Sequence, residues 1–277
     1  MKPAPFAYKK ARSIDDAVAL LAEKDSRLLA GGQSLIATLN MRLSQPSLLI
    51  DINGIGGLDA IALKNNVVEI GALTRHAQAE RSEIITRYAP LLARALPHIG
   101  HVAVRNRGTI GGSIAFADPA AELPACLVAL GGEIVVAGPA GARRIAAEDF
   151  FKGLFETALA SQEMVVAVRM PAATAQTRVG FAELARRHGD YAIAGLAACA
   201  RAAGRGVSNV RLAFFGVGDR PLRARRAEAA IERGDVEGAV KVLDLDPADD
   251  VQATGAVKKH LAGVLLRRVA AQLMERE

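Results

Sequence analysis

The chain has 277 residues, 51% of them hydrophobic, no Trp, and 35 Lys and Arg against 29 Asp and Glu, for a net charge of +6. That length accommodates about two domains and an aliphatic core that needs no disulfide staples. No apolar run reaches the ~18 residues of a membrane-spanning helix, and the short basic clusters carry no interleaved aromatics, which argues against nucleic-acid binding.

The opening Met1 to Lys10 lacks the apolar centre of a signal peptide, so a cytoplasmic location is expected. Cys126 and Cys199 stand in apolar surroundings with no CxxC spacing. They read as buried small hydrophobes and leave no iron–sulfur cluster on this chain alone.

Phe6 to Ala11 is a short opening segment. Ser13 followed by Asp15 and Asp16 then reads as a capped helix start. Leu28-Leu29 runs as a strand into Ala30-Gly31-Gly32, Leu35 to Arg42 has helical character, and Ser47 to Ile52 is strand-like. The order β–α–β–loop–α–β within about 50 residues predicts an α+β unit with a phosphate-type loop inside it. Val67 to Ile70 predicts a strand, and Thr74 is placed to cap the helix that follows. Ala89 to Leu96 predicts another helix. Asp118 precedes Pro119, which predicts an N-cap with proline at the first helical position. Glu133 to Ala137 and Met164 to Met170 read as strands, with Ile145 to Phe151 and Phe155 as a connector between them.

The turn-prone Ala172 to Thr177 marks an expected boundary, giving domains of 1–175 (subdomains of about 1–55 and 56–175) and 176–277. Beyond it, Phe181 to Ala185, Ile193 to Ala202 and Val210 to Val217 predict antiparallel strands. Helices are predicted at Arg225 to Arg233, Ala239 to Leu243 and Ala256 to Arg276.

Two stretches carry the chemistry. Leu29 to Leu35 and Thr109 to Pro124 each pair adjacent glycines with a hydroxyl or amide residue, and both precede helical segments. This is the pattern expected where backbone N–H groups close on a phosphate. Neither is a GxxxxGK[ST] loop, and no GxGxxG follows a strand, so nucleotide-triphosphate and Rossmann sites are set aside. The five histidines show no HExxH spacing and GxSxG is absent, which removes metal hydrolysis and serine acyl transfer. Asp118 and Glu122 are four apart at a helix start, where acidic residues usually cap rather than catalyse. Arg186 to Ile193 offers a tyrosine, Tyr191, as a flat ring.

Taken together, AGGQSL near residue 30, NRGTIGGS with ADPAAELP, and RRHGDYAIAG resemble the FAD-binding medium subunits of the molybdenum hydroxylases. These are the xanthine dehydrogenase and aerobic carbon monoxide dehydrogenase group, related to the vanillyl-alcohol-oxidase (PCMH-type) flavoproteins. The resemblance implies an α+β fold: a two-subdomain FAD domain, then a C-terminal domain with a three-stranded antiparallel sheet and a helical bundle. It implies FAD contacts at Ala30, Gly31, Gly32, Gln33, Ser34, Leu35, Val102, Thr109, Ile110, Gly111, Gly112, Ser113, Asp118, Val165 and Tyr191. Asp118 would hold the nucleotide end and Tyr191 would lie against the isoalloxazine. Gln33 and Ser34 stand where distant relatives attach flavin covalently, so attachment is expected to be non-covalent.

No catalytic residue and no metal site are expected on this chain. Its implied partners are a small subunit with [2Fe–2S] clusters and a large molybdopterin subunit, in a dimer of heterotrimers. Electrons would pass from the clusters to FAD and on to NAD+, a quinone or O2, with Arg105, Arg107, Arg186 and Arg187 as candidate positive charges near the flavin. A stand-alone flavin oxidase or dehydrogenase is the competing class, disfavoured by the lack of an evident catalytic base.

Overall fold

The computed structural model describes residues 2–275. The first unit is a three-stranded parallel sheet. Strand β1 (Ala7–Lys10) leads to helix α1 (Ile14–Leu20), β2 (Ser26–Leu29), α2 (Leu35–Asn40) and β3 (Leu48–Asp51), with β3 central between β1 and β2. Ser13 caps α1 as expected, its hydroxyl accepting the Asp16 N–H at 3.1 Å. Placing β3 between the other two buries Leu48, Leu49 and Ile50 and leaves both loops that follow β2 and β3 at the same end of the sheet.

A five-stranded antiparallel sheet follows. It begins with β4 (Ile61–Lys64) and β5 (Val67–Gly71), and β4 is a strand that the sequence reading missed. Helices α3 (His76–Glu80), α4 (Glu83–Tyr88), α5 (Pro90–Ala95), α6 (Val102–Arg105), α7 (Ile110–Phe116) and α8 (Glu122–Leu130) follow, with α4 against β4 and β5 and α7 against β5 and the strand that pairs with it. Strands β6 (Glu133–Gly138) and β7 (Gly141–Ala146) come next, then α9 (Ala147–Phe150), the hairpin β8 (Phe151–Gly153) with β9 (Glu156–Thr157), and β10 (Met164–Pro171). The strand order is β4-β5-β10-β6-β7. What reads as a connector from Ile145 to Phe151 is therefore the end of an edge strand, a short helix and half a hairpin. The β7 segment Gly-Ala-Arg-Arg-Ile-Ala is exposed at all but one position, so it lacks the apolar alternation that marks a half-buried strand.

Thr74 does not cap a helix. It is fully buried with an unpartnered hydroxyl, and Arg75 occupies the N-cap position of α3 without a side-chain cap. Ser82 caps α4, splitting the single predicted helix in two. Asp118 likewise caps no helix: its Oδ1 accepts the Ala120 N–H at 2.9 Å in a tight turn, and α8 starts four residues later at Glu122.

The last sheet is antiparallel, in the order β11 (Thr177–Leu184), β12 (Ala194–Ala203), β13 (Gly206–Phe215), β14 (Leu222–Arg223). The expected three strands are present, and a two-residue fourth adds to the edge. Ala197, Ala213 and Phe215 face the core beneath α8, while Leu196, Ala198, Leu212 and Phe214 face a second core under α10 (Arg225–Glu232), α11 (Val236–Lys241) and α12 (Gly255–Met274). A sheet buried on both faces explains why these strands read as continuous apolar runs. The predicted final helix reaches Arg276, which lies outside the described residues.

The two faces also join the sheet to the rest of the chain. Arg211 donates to the Val128 carbonyl at 2.8 Å, and the Gly216 N–H donates to the Pro119 carbonyl at 2.8 Å. The turn that carries Asp118 is thereby tied to the last sheet.

Candidate functional site

The loop after β2 is built to receive an anion. Among the described residues, none of the backbone N–H groups from Ala30 to Leu35 donates to a protein acceptor, whereas Ile36 resumes helical bonding to the Gly32 carbonyl at 3.0 Å. Six consecutive amides without a protein acceptor at a partly exposed surface leave donors available to an anion. Gly32 sits at φ +72°, a left-handed conformation that bends the run of amides inward.

The second glycine pair works differently. Gly111 and Gly112 lie inside the first turn of α7, and Thr109 is the N-cap, its hydroxyl accepting the Gly112 N–H at 3.1 Å. The neighbouring amides are committed to the protein: Ile110 to the Thr74 carbonyl at 2.9 Å, Gly111 to the Ala72 carbonyl at 2.8 Å and Ser113 to the Thr109 carbonyl at 3.0 Å. The two loops are therefore not equivalent in their free amides. The second offers hydroxyls and one shared amide, and its glycine serves packing, since a Cβ on Gly111 would stand 2.4 Å from the Ala72 Cβ.

The two loops meet directly. A Cβ on Gly31 would lie 2.3 Å from the Arg107 carbonyl oxygen and 3.0 Å from Gly108 Cα. The strand-like pairing of Arg75 with Thr109 fixes the second loop from beneath, with the His76 N–H donating to the Gly108 carbonyl at 3.0 Å.

The remaining expected residues differ in exposure. Val102 at the start of α6 is 59% exposed, as is Tyr191, while Val165 is buried in β10 opposite Val136. The loop that leads to Tyr191 rests on the segment before Val102, with the His188 and His98 rings 5.8 Å apart. The segments that carry Asp118 and Tyr191 converge at Gly216, whose N–H donates to the Pro119 carbonyl at 2.8 Å and whose missing Cβ would stand 2.8 Å from the Ala192 carbonyl oxygen, although the family resemblance assigns the two residues to opposite ends of the cofactor.

Of the four arginines expected as positive charges near the flavin, one has its charge paired within the protein and a second is anchored by carbonyls. Arg105 is buried, pairs with Glu80 at 2.9 Å and donates to the Gly100 carbonyl at 2.8 Å. Arg186 donates to the Val251 carbonyl at 3.1 Å. Arg107 and Arg187 are exposed.

Several polar groups near the site lie outside the residues expected to bind the cofactor. Arg75 bonds to Asn53 and to the second loop. His76 is buried with both ring nitrogens unpartnered, and burial holds it at about 4. Burial pushes Glu122 up to about 8, beside Glu183, whose Oε1 lies 3.2 Å from His98 Nδ1. That hydrogen bond raises the His98 imidazole. A run of open amides closed on by a second loop, with a cationic side chain between and an exposed tyrosine nearby, fits a flavin dinucleotide and defines a flavoprotein.

Comparison with known proteins gives the class its family. Residues 4–173 match the model for the FAD binding domain in molybdopterin dehydrogenase, and residues 180–273 match the carbon monoxide dehydrogenase flavoprotein C-terminal domain. The chain is 37% identical, over 100% of its own length and 97% of the relative's, to the 6-hydroxypseudooxynicotine dehydrogenase complex subunit alpha of Paenarthrobacter nicotinovorans. It superposes at TM-score 0.96 and 38% identity on carbon monoxide dehydrogenase of Hydrogenophaga pseudoflava, covering 99% of this chain and 98% of that one. With quinoline 2-oxidoreductase of Pseudomonas putida 86 the TM-score is 0.93 at 33% identity, covering 99% and 98%. The chain belongs to the FAD-binding medium subunits of the molybdenum hydroxylases, an oxidoreductase family whose molybdopterin and iron–sulfur groups sit on other subunits. Among the described residues no helix is long and apolar enough to cross a membrane.

Proposed function

We propose that this chain is the electron-transfer subunit of a cytoplasmic molybdenum hydroxylase, a dimer of heterotrimers. It takes electrons from the [2Fe–2S] clusters of a small partner and delivers them to NAD+, a quinone or O2. The observation that carries the reading is the open run of amides from Ala30 to Leu35 facing the second loop. FAD, held non-covalently, supplies the redox chemistry, and the protein orients it.

In this reading the first loop donates to the diphosphate, while Thr109 and Ser113 add hydroxyl groups from the other side. Ile110, Gly111 and Gly112 set the backbone of that second loop, and Arg75 supplies the compensating charge. Tyr191 presents its ring to the isoalloxazine, and Val102 and Val165 supply apolar walls. Because the segments that carry Asp118 and Tyr191 converge, we assign both residues to the same end of the cofactor. Domains of 1–175 and 176–277 then divide the work: the first holds the diphosphate, and the second backs the turn that carries Asp118 and presents Tyr191 to the flavin.

The test is the visible spectrum of the purified chain, followed by heat denaturation and assay of the supernatant for FAD. Flavin absorption with released FAD supports the reading, and co-purification with an iron–sulfur and a molybdenum chain supports the electron-transfer role. A colourless protein that cannot be reconstituted with FAD overturns it. A flavin chain that oxidises a small substrate with no partner present favours a self-sufficient oxidase instead.

A further inference from the structure

The two loops are linked by a relay of side chains that lies outside the motifs. Asn53, in the turn after β3, donates through Nδ2 to the Ala30 carbonyl at 2.9 Å and, more weakly, to the Leu29 carbonyl at 3.3 Å. The same amide is held by Asp51, whose Oδ1 accepts from Asn53 N at 2.9 Å and from Nδ2 at 2.7 Å. The Tyr8 hydroxyl in turn donates to Asp51 Oδ2 at 2.5 Å. On its other side Asn53 presents Oδ1 to Arg75 Nη2 at 2.7 Å, and Arg75 Nη1 donates to the Arg107 carbonyl.

The Arg107 carbonyl is also the atom closest to the missing Cβ of Gly31. Arg75 therefore reaches the point where the two loops touch, and Asn53 grips the first loop one residue before it. The Arg75 hydrogen bonds go to a carbonyl and an amide oxygen, and among the described residues no carboxylate lies within ion-pair distance of it. A half-buried guanidinium with neutral partners retains its charge for another group.

We propose that Arg75 and Asn53 form a staple that sets the spacing between the two glycine loops, acting as positioning residues for the diphosphate rather than as part of the loops. The fork geometry of the guanidinium is what the staple requires, because one end must bond each loop's support at once. A lysine ammonium in its place keeps the charge and loses the second, directed bond. The inference rests on the FAD reading above.

The experiment titrates the full chain, stripped of flavin, with FAD and separately with ADP, which carries the diphosphate without the isoalloxazine. Arg75→Ala and Asn53→Ala are each expected to weaken FAD by about 10- to 100-fold, the range of a charge-assisted hydrogen bond. ADP should weaken by the same factor while the melting temperature of the flavin-free Asn53→Ala chain stays within a degree or so of wild type; an equal loss for both ligands with a lowered melting temperature is a general loss of structure and would overturn the staple. Arg75→Lys should recover only part of the loss. The double variant should bind no worse than the weaker single one, because both cut the same relay.

Asn53 lies in an exposed turn, so its variant tests the relay even if an Arg75 variant does not fold. Wild-type affinity in Asn53→Ala, full rescue by Arg75→Lys, or additive losses in the double variant would each overturn the staple while leaving FAD binding standing. A wild-type chain that binds neither FAD nor ADP would overturn the FAD reading and the staple with it.

Discussion

Gly31→Ala isolates the contact between the loops from the chemistry of either one. The added methyl would sit 2.3 Å from the Arg107 carbonyl oxygen, with the Arg107 carbonyl carbon and Gly108 Cα both at 3.0 Å. Ordinary carbon–oxygen contact begins about 1 Å further out, so one loop must retreat by about that distance or the backbone must rotate. All three atoms belong to the main chain, and Gly108 is fixed by His76 through its carbonyl, so relief by a side-chain rotation is closed. Overpacking of this kind costs about 1–3 kcal/mol, equivalent to a fall of about 2–6 °C in melting temperature for a chain of this size. The displacement also spreads the amides of Ala30 to Leu35 away from the second loop, so FAD affinity should fall together with stability. Gly32→Ala makes the contrast. Its φ of +72° costs about 1–2 kcal/mol for a side chain, but its nearest neighbours are the flexible ends of Ile36 and Leu29 at 3.1 and 3.3 Å, so the spacing between loops survives. Calorimetry of the flavin-free chain and a fluorescence titration with FAD measure both quantities. A Gly31→Ala chain that melts within a degree of wild type and keeps its FAD affinity would refute the loop contact.

Three further outcomes follow from buried and strained groups. Glu122 has a folded value of about 8 against an ordinary 4.5, so the folded state holds a proton that the unfolded state releases, and stability falls as pH rises from about 5 through 8. The cost above pH 8 is on the order of 5 kcal/mol, and Glu122→Gln should flatten that alkaline limb in melting curves; an unchanged limb would remove Glu122 as its cause. His76 acts with the opposite sign. Burial lowers it to about 4, so stability is lost as pH falls from 6.5 towards 4, by about 3 kcal/mol, and His76→Leu should remove this acid limb. Arg42 is exposed at φ +58° at the end of the segment after α2, and Arg42→Gly should raise stability by about 1 kcal/mol in a denaturant titration.

How far the sequence could be read depended on whether a residue's job is local. Ser13, the β2 strand running into Ala30 and the apolar β12 and β13 all declare themselves within a few positions, because caps, turns and buried strands are set by near neighbours. Edge strands were the first losses. The β7 residues are mostly exposed and the β14 strand has two residues, so neither presents a hydrophobic period. Thr74 and Asp118 were misread because hydroxyl and carboxylate residues beside a helix usually cap it. Here Thr74 is buried where the backbone crosses to pair with the second loop, and Asp118 closes a turn instead. Arg75, Asn53 and His76 were not legible as site residues because the contacts that tie Arg75 and Asn53 to the loops and to each other span 22 to 32 positions, and the His76 ring has no partner among the described residues.

The difference between the two loops follows from the same distinction. In the first, the chain leaves a parallel sheet and enters a helix without spending its amides, so the donors remain for a ligand. In the second, the amides of Ile110 and Gly111 dock α7 onto the chain around Ala72 and Thr74, and the loop becomes a fixed wall. A diphosphate between a donor-rich loop and a rigid wall is bound chiefly from one side. Its affinity then depends on keeping the wall at the correct distance, which here falls to Gly31, where a methyl has no room, and to the hydrogen bonds of Arg75. Substitutions that alter this spacing should therefore weaken FAD more than loss of the Ser113 hydroxyl does, and Ser113→Ala titrated beside Gly31→Ala measures the comparison. A larger loss from Ser113→Ala would reverse the assignment and make the second loop the principal donor.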